Sequence, residues 1–167
     1  DTPTKRAELR ERLAETEFIL VPGGTILFVG TPHCEDSLYR DARDQTLYAF
    51  ALGGAGQVAQ YTIFRTADGR LDARHVRDLR VASEASYCAA DDATGDLYVA
   101  EQGVGFWRFD ADPEAETIPT LIVAVRLGRL TEEVGGVTLY DGGPGARYLI
   151  ASNASAGTFH VYDRSAD

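Results

Sequence analysis

The chain contains no methionine, not even at position 1, so it is expected to be a processed product or a piece of a longer polypeptide. An exported protein trimmed of its leader would look like this, which makes a secreted or periplasmic location the expectation. There are only two cysteines, Cys34 and Cys88. They are too few for a disulfide framework and lack the paired spacing of a zinc site, leaving either one disulfide or two buried thiols. Basic residues are scarce, 16 against 26 acidic ones, for a formal net charge of −10. That balance argues against a clamp for nucleic-acid backbone and suits a surface that binds cations or is bridged by them. Long apolar runs are missing as well. The longest, Pro119 to Val125, is strand-sized, whereas a membrane-spanning helix needs roughly 18–20 residues, so no transmembrane segment is expected.

Apolar material is otherwise ample: 44% of 167 residues is enough for one real core. The first sixteen residues stand apart. Thr2 before Pro3 suits an N-cap followed by proline at the first helical position, and Glu8 with Arg12 forms an i,i+4 pair. A short helix over 1–16 is predicted, with a thin stripe of Ala7, Leu9, Leu13 and Ala14, separate from a domain at 17–167. From Phe18 onward, short apolar or alternating runs are separated by Gly, Asp and Asn clusters. They predict strands at 18–22, 25–29, 46–51, 57–63, 87–90, 96–101, 104–109, 120–125, 136–140, 147–152 and 158–162. The fold class is all-β.

An internal repeat organises these strands. Leu47-Tyr48-Ala49-Phe50-Ala51, Leu97-Tyr98-Val99-Ala100-Glu101 and Arg147-Tyr148-Leu149-Ile150-Ala151 put a tyrosine at 48, 98 and 148, a spacing of 50 residues twice over. Each tyrosine strand is preceded by another strand and an acidic or glycine turn, and followed by a strand closing on Tyr61, Phe109 or Tyr162. Such a unit has the size of one four-stranded propeller blade, so about three blades are predicted. Asp91-Asp92-Ala93-Thr94-Gly95-Asp96 and Asp141-Gly142-Gly143 read as turn chemistry.

Several motifs carry a family likeness in register and in order. They are Ser37-Leu-Tyr-Arg40, Gly56-Gln-Val-Ala-Gln-Tyr61, Val76-Arg-Asp-Leu-Arg80, the run from Cys88 to Glu101, Val104-Gly-Phe-Trp-Arg-Phe109, Val137-Thr-Leu-Tyr140 and Phe159-His-Val-Tyr-Asp-Arg164. Together, over roughly residues 32 to 164, they resemble the later blades of the β-propeller (alkaline) phytases. The resemblance implies a six-bladed propeller, usually exported, that binds several calcium ions and hydrolyses phosphomonoesters of phytate. Calcium is a hard cation that takes six to eight oxygen ligands, and carboxylates supply them in that family.

The resemblance also shows what this chain has lost. Where the family carries Thr-Glu-Gly with a calcium-ligating glutamate, this chain has Ala85-Ser86-Tyr87. Where the family has Asp-Val-Glu-Gly, this chain has Glu133-Val134-Gly135-Gly136, so Glu133 keeps a charge and Gly135 offers none. A family lysine falls on Gly54, within a glycine-rich hairpin turn that has no phosphate-loop context, and a family tyrosine falls on Cys34. Glu101 survives and, with Glu133, is a candidate calcium ligand; a structural salt bridge is the alternative role for Glu101. His33, His75 and His160 share no ligand spacing, Ser86 has no evident triad, and Arg74, Arg77 and Arg80 match family positions that look structural.

Two readings of function follow. In one, the chain is a calcium-dependent phosphatase acting on phytate or another phosphomonoester, with impaired catalysis. In the other, it is a non-catalytic propeller module for protein interaction or assembly. Six blades need about 300 residues, so this chain has room for half a ring. An open half-ring exposes blade faces, which predicts completion by a second copy, by another chain or by the missing half of a longer polypeptide.

Overall fold

The computed structural model describes residues 38–125, 134–143, 145–153 and 155–164. All belong to one of the two units into which the chain divides, residues 31–167. The helix expected over 1–16, the strands expected at 18–22 and 25–29, Cys34 and Glu133 lie outside the described residues.

The described chain is all-β, with three antiparallel sheets in sequence. The first comprises β1 (Leu38–Arg40), β2 (Leu47–Leu52), β3 (Gln57–Arg65) and β4 (Leu71–Arg80). The second comprises β5 (Ala85–Asp91), β6 (Asp96–Glu101), β7 (Gly105–Asp110) and β8 (Thr120–Ala124). The third contains β9 (Val134–Asp141), β10 (Arg147–Asn153) and β11 (Thr158–Asp163). Each is an up-and-down meander, as expected of propeller blades, and the expected strands within the described residues are all found.

One strand escapes the sequence pattern. β4 reads Leu-Asp-Ala-Arg-His-Val-Arg-Asp-Leu-Arg, too polar to announce itself, because it is the outer edge of its sheet. Leu79 is its one fully buried residue. Charged side chains on an edge strand also discourage pairing with other chains.

The cores lie between the sheets. Tyr39, Tyr48, Phe50, Val58 and Leu79 of the first blade pack against Cys88, Leu97, Val99 and Phe109 of the second. On the second blade's other face, Ala89, Tyr98, Ala100 and Phe106 pack against Val134, Val137, Leu149 and Ala151 of the third. Having a blade on each side, β6 is buried along almost its whole length. That accounts for its continuous apolar run. Cys88 is a buried thiol in the first of these cores.

Close approach of strands sets one glycine. Gly105 opens β7 at φ 143°, and a Cβ there would overlap the Val123 carbonyl oxygen on β8. Only glycine tolerates both that backbone angle and that contact.

Polar groups also bridge the blades. Buried Gln60 donates its amide N–H to the Ala111 carbonyl (2.8 Å) and accepts from Arg77 Nε (2.7 Å). Arg77 in turn donates to the carbonyls of Ala115 and Asp110, so it braces the loop after β7 rather than facing a phosphate. Burial pulls its guanidinium below the usual arginine value.

A recurring aspartate stands at the end of the first strand of each blade, at 41, 91 and 141. In all three, one carboxylate oxygen accepts the backbone N–H two residues on: Arg43 at 2.8 Å, Ala93 at 3.0 Å and Gly143 at 2.9 Å. The other oxygen works between blades in the first two. Asp41 Oδ2 takes Arg43 Nη2 (2.8 Å), which also reaches Asp112 of the second blade (2.6 Å). Asp91 takes the Arg164 guanidinium of the third blade.

This clasp has a pH signature. Hydrogen bonds from Arg43 hold the Asp41 carboxyl below its ordinary value of 3.8. Asp112 is lowered too, first by the Glu114 backbone N–H and then by Arg43. Depressed carboxylate pKa values contribute stability that is fully present above the unfolded value and lost as pH falls through the folded one. The urea midpoint is therefore expected to be flat from pH 7 towards the ordinary carboxylate value and to fall below it. In Asp41→Asn, neutral-pH stability drops and the acid slope becomes shallower; an unchanged slope would count against the clasp.

Candidate functional site

Four positions singled out in the sequence converge at one end of the first strands. A cleft of about 300 Å³ is lined by Phe50, Leu52, Gly53 and Gly54 from β2 and its turn, by Glu84 to Cys88 at the start of β5, and by Gln102 just after β6. Gly54 and Ser86 are thus in one cavity. Gln102 donates its side-chain amide to the Val134 carbonyl (3.2 Å), bringing β9 and Gly135 to the same corner. Glu101 sits across from Ala85 in the β5–β6 ladder.

Ser86 occupies a bulge, since Ala85 pairs with Glu101 and Tyr87 with Ala100. A bulge re-aims a side chain out of the regular alternation. The Ser86 hydroxyl is buried and has no hydrogen-bond partner among the described residues. It offers one neutral oxygen where a carboxylate is needed to help hold a divalent cation.

Glu101 is fully buried, and both its oxygens are engaged. Oε1 accepts the Ser83 backbone N–H (2.5 Å) and lies 2.8 Å from the Ser83 hydroxyl; Oε2 accepts the Trp107 indole N–H (2.5 Å). Among the described residues its partners are neutral donors and not the cation of a salt bridge. They present hydrogens where a metal ion would need bare lone pairs.

A larger residue at Gly135 would press on Ser152. A Cβ there would lie 2.9 Å from the Ser152 hydroxyl oxygen and 3.1 Å from its carbonyl, where β10 has a register shift between Ala151 and Asn153. Gly54 is exposed and open, with nothing near its would-be Cβ. The other candidates are dispersed. His75 is an exposed β4 residue paired with Asp78 (3.0 Å) and edge-on to Tyr61, while His160 lies on β11 with Thr158 near its ring.

Residues 34–167 match the Phytase family. The chain belongs to the phytase family. It is also 30% identical over 128 residues to a 3-phytase of Bacillus subtilis (strain 168), covering 77% of this chain and 34% of that relative. It therefore spans about a third of the length of the curated relative that it matches.

Phytases of this family imply calcium, so the donor set can be tested against that ion. Calcium wants six to eight oxygens, several of them anionic. At the corner described, the phytase positions supply one hydroxyl without a described partner (Ser86), one carboxylate already accepting from three donors (Glu101) and two glycines (Gly54, Gly135). Among the described residues no group of three or more His, Cys, Asp and Glu could hold a metal ion. These residues do not fit calcium. Nor, among the described residues, is any helix long and apolar enough to cross a membrane.

Sequence reasoning missed the role of Ser83 and Trp107 as holders of Glu101, and it missed that the aspartates at 41, 91 and 141 form one recurring series. The second was visible, since each aspartate precedes a repeat tyrosine by the same interval.

Proposed function

We propose that the chain is a phytase-family propeller segment with impaired phosphomonoesterase chemistry, acting mainly as a non-catalytic module for interaction or assembly of an exported protein. The observation that carries this reading is Glu101. Its carboxylate is spent on Ser83 and Trp107, so its burial is explained by protein donors alone.

The competing reading keeps the family chemistry: a calcium-dependent phosphatase acting on phytate, with Glu101 and Glu133 as remaining calcium ligands. The family match favours it. Hydrolysis of a dianionic phosphate needs its charge neutralised and a nucleophile generated beside it. Ser86, Gly135 and Gly54 each withdraw a group that would serve one of those ends.

Phosphate release from phytate, with and without added calcium, separates the two, alongside a calorimetric calcium titration. The expected outcome is no calcium-dependent release and no binding tighter than about 10⁻³ M, the weak end of protein calcium sites. Robust calcium-dependent turnover that Glu101→Gln abolishes, with the fold intact by circular dichroism, would overturn the impaired reading.

A further inference from the structure

The cleft between the first and second blades is lined by three residues with oxygens that no described group uses. Glu84 is exposed, and its carboxylate makes no hydrogen bond or ion pair among the described residues. The Glu84 backbone carbonyl accepts the Gln102 backbone N–H at 3.0 Å, which keeps these two residues side by side. Gln102 gives its side-chain N–H to the Val134 carbonyl (3.2 Å), and that bond leaves the amide oxygen as an acceptor. Ser86 adds a buried hydroxyl with no partner among the described residues, on the bulge that breaks the regular alternation of β5. A polar atom left in that state is unfavourable until something bonds to it.

The lining sets the sign and the kind of group that can enter. Among the described residues, no lysine, arginine or histidine lines the cleft, and Glu84 is the one charged residue that does. The fully buried Glu101 carboxylate lies across the ladder from Ala85, so a second negative charge stands close behind. A phosphate would meet both charges and find one hydroxyl donor. A calcium ion would find one free carboxylate where it needs several anionic oxygens. A neutral polyol brings donors and acceptors alike, whereas the groups left over here mostly accept. A primary ammonium is their converse, with three N–H donors, one positive charge and no acceptor. Phe50 and Leu52 from the first blade and Tyr87 from the second add apolar surface, which suits the methylene stem that carries such a group. Gly54 puts no side chain in the way, and the space around its would-be Cβ is open.

We propose that this cleft binds a primary alkylammonium group, the chemistry shared by a lysine side chain of a partner protein and a small free amine. The ammonium is held by the Glu84 carboxylate, the Gln102 amide oxygen and the Ser86 hydroxyl, and its stem lies along Phe50, Leu52 and Tyr87. The proposal rests on the reading that this corner no longer serves calcium and phosphate. Calcium-dependent turnover of phytate would overturn that reading, whereas a chain that neither cleaves phytate nor binds an amine would overturn the proposal alone.

Calorimetric titration of the chain with n-butylammonium chloride, beside n-butanol and inorganic phosphate, tests it. The amine is expected to bind saturably in the millimolar range, as suits so small a ligand, with n-butanol and phosphate at least about tenfold weaker. Glu84→Gln preserves the size of an exposed side chain, so the circular dichroism stays intact while affinity for the amine falls about tenfold. Ser86→Ala lowers that affinity about threefold and leaves the urea midpoint unchanged or higher, because the hydroxyl has no described partner to lose. The tripeptide acetyl-Gly-Lys-Gly-amide separates the two sources: tighter binding than n-butylammonium assigns the cleft to a protein lysine, and weaker binding assigns it to a free amine. No binding of either amine, n-butanol or phosphate binding as tightly as n-butylammonium, or an affinity unmoved by Glu84→Gln would each overturn the proposal.

Discussion

Replacing Glu101 by alanine is expected to cost about 3–5 kcal/mol of folding stability, with no difference between calcium and chelator. Three donors point at this carboxylate: the Ser83 backbone N–H, the Ser83 hydroxyl and the Trp107 indole N–H. A bond to a charged group contributes about 1.5–3 kcal/mol, and an orphaned buried donor costs about 1–3 kcal/mol. Both protein flanks are partly buried, so water relieves some of that cost and the sum stays below three full penalties. Glu101→Gln retains one carbonyl acceptor and sets an amide N–H against one of the donors, for an expected loss of about 1–2 kcal/mol. Trp107 is the chain's single tryptophan, so its fluorescence reports on this corner during urea unfolding. A ligand that binds only the folded state raises stability with its concentration. If calcium raised the wild-type midpoint strongly and Glu101→Gln removed that rise, Glu101 would be a metal ligand after all.

Phe106→Ala is the second large effect, an expected loss of about 3–5 kcal/mol from deletion of a fully buried aromatic side chain. Its position decides what that loss looks like. Phe106 lies in the core shared by the second and third blades, with Val134, Val137 and Leu149. The cavity would therefore loosen two blades against each other and leave the hydrogen-bonded ladders within each intact. Amide exchange should rise first along β9 and β10, while β2 and β3 keep their protection. Uniform loss of protection across all three blades would mean that they unfold as one unit.

The sequence carried the fold well wherever a residue had to repeat its job. Tyr48 and Tyr98 each meet the space between one blade and the next, and Tyr148 holds the same place in the third blade, so their spacing is regular and the strands around them could be found by alternation. β4 could not, because an edge strand has one ladder and little core, and its single fully buried residue, Leu79, is lost among arginines and aspartates. The site was legible only by position. Ser86, Gly135 and Gly54 could be named as departures from a family pattern, and the cleft does gather Ser86 with Gly54. What holds Glu101 was not legible. Trp107 and Ser83 reach it across the β6–β7 turn and from ahead of β5, and only the paired strands bring the three together. The acidic turns at 91–96 and 141–143 were assigned to turn chemistry, yet that assignment captured one oxygen of Asp91 and not the other, and it left Asp41 unread.

The order of strands also bears on how quickly this chain finds its fold. Within every sheet, each strand is hydrogen-bonded to its neighbours in sequence, β1 to β4, β5 to β8 and β9 to β11, with no crossover. Hairpins of this kind close short loops, nine residues at the longest between β7 and β8, before any distant contact is required, and such local topology favours fast folding. The slow search is confined to the meeting of one blade with the next. Tyrosines stacked as ready-made pairs at 39 and 48, and at 140 and 148, shorten that search, because each pair is assembled inside its own hairpin before another blade arrives.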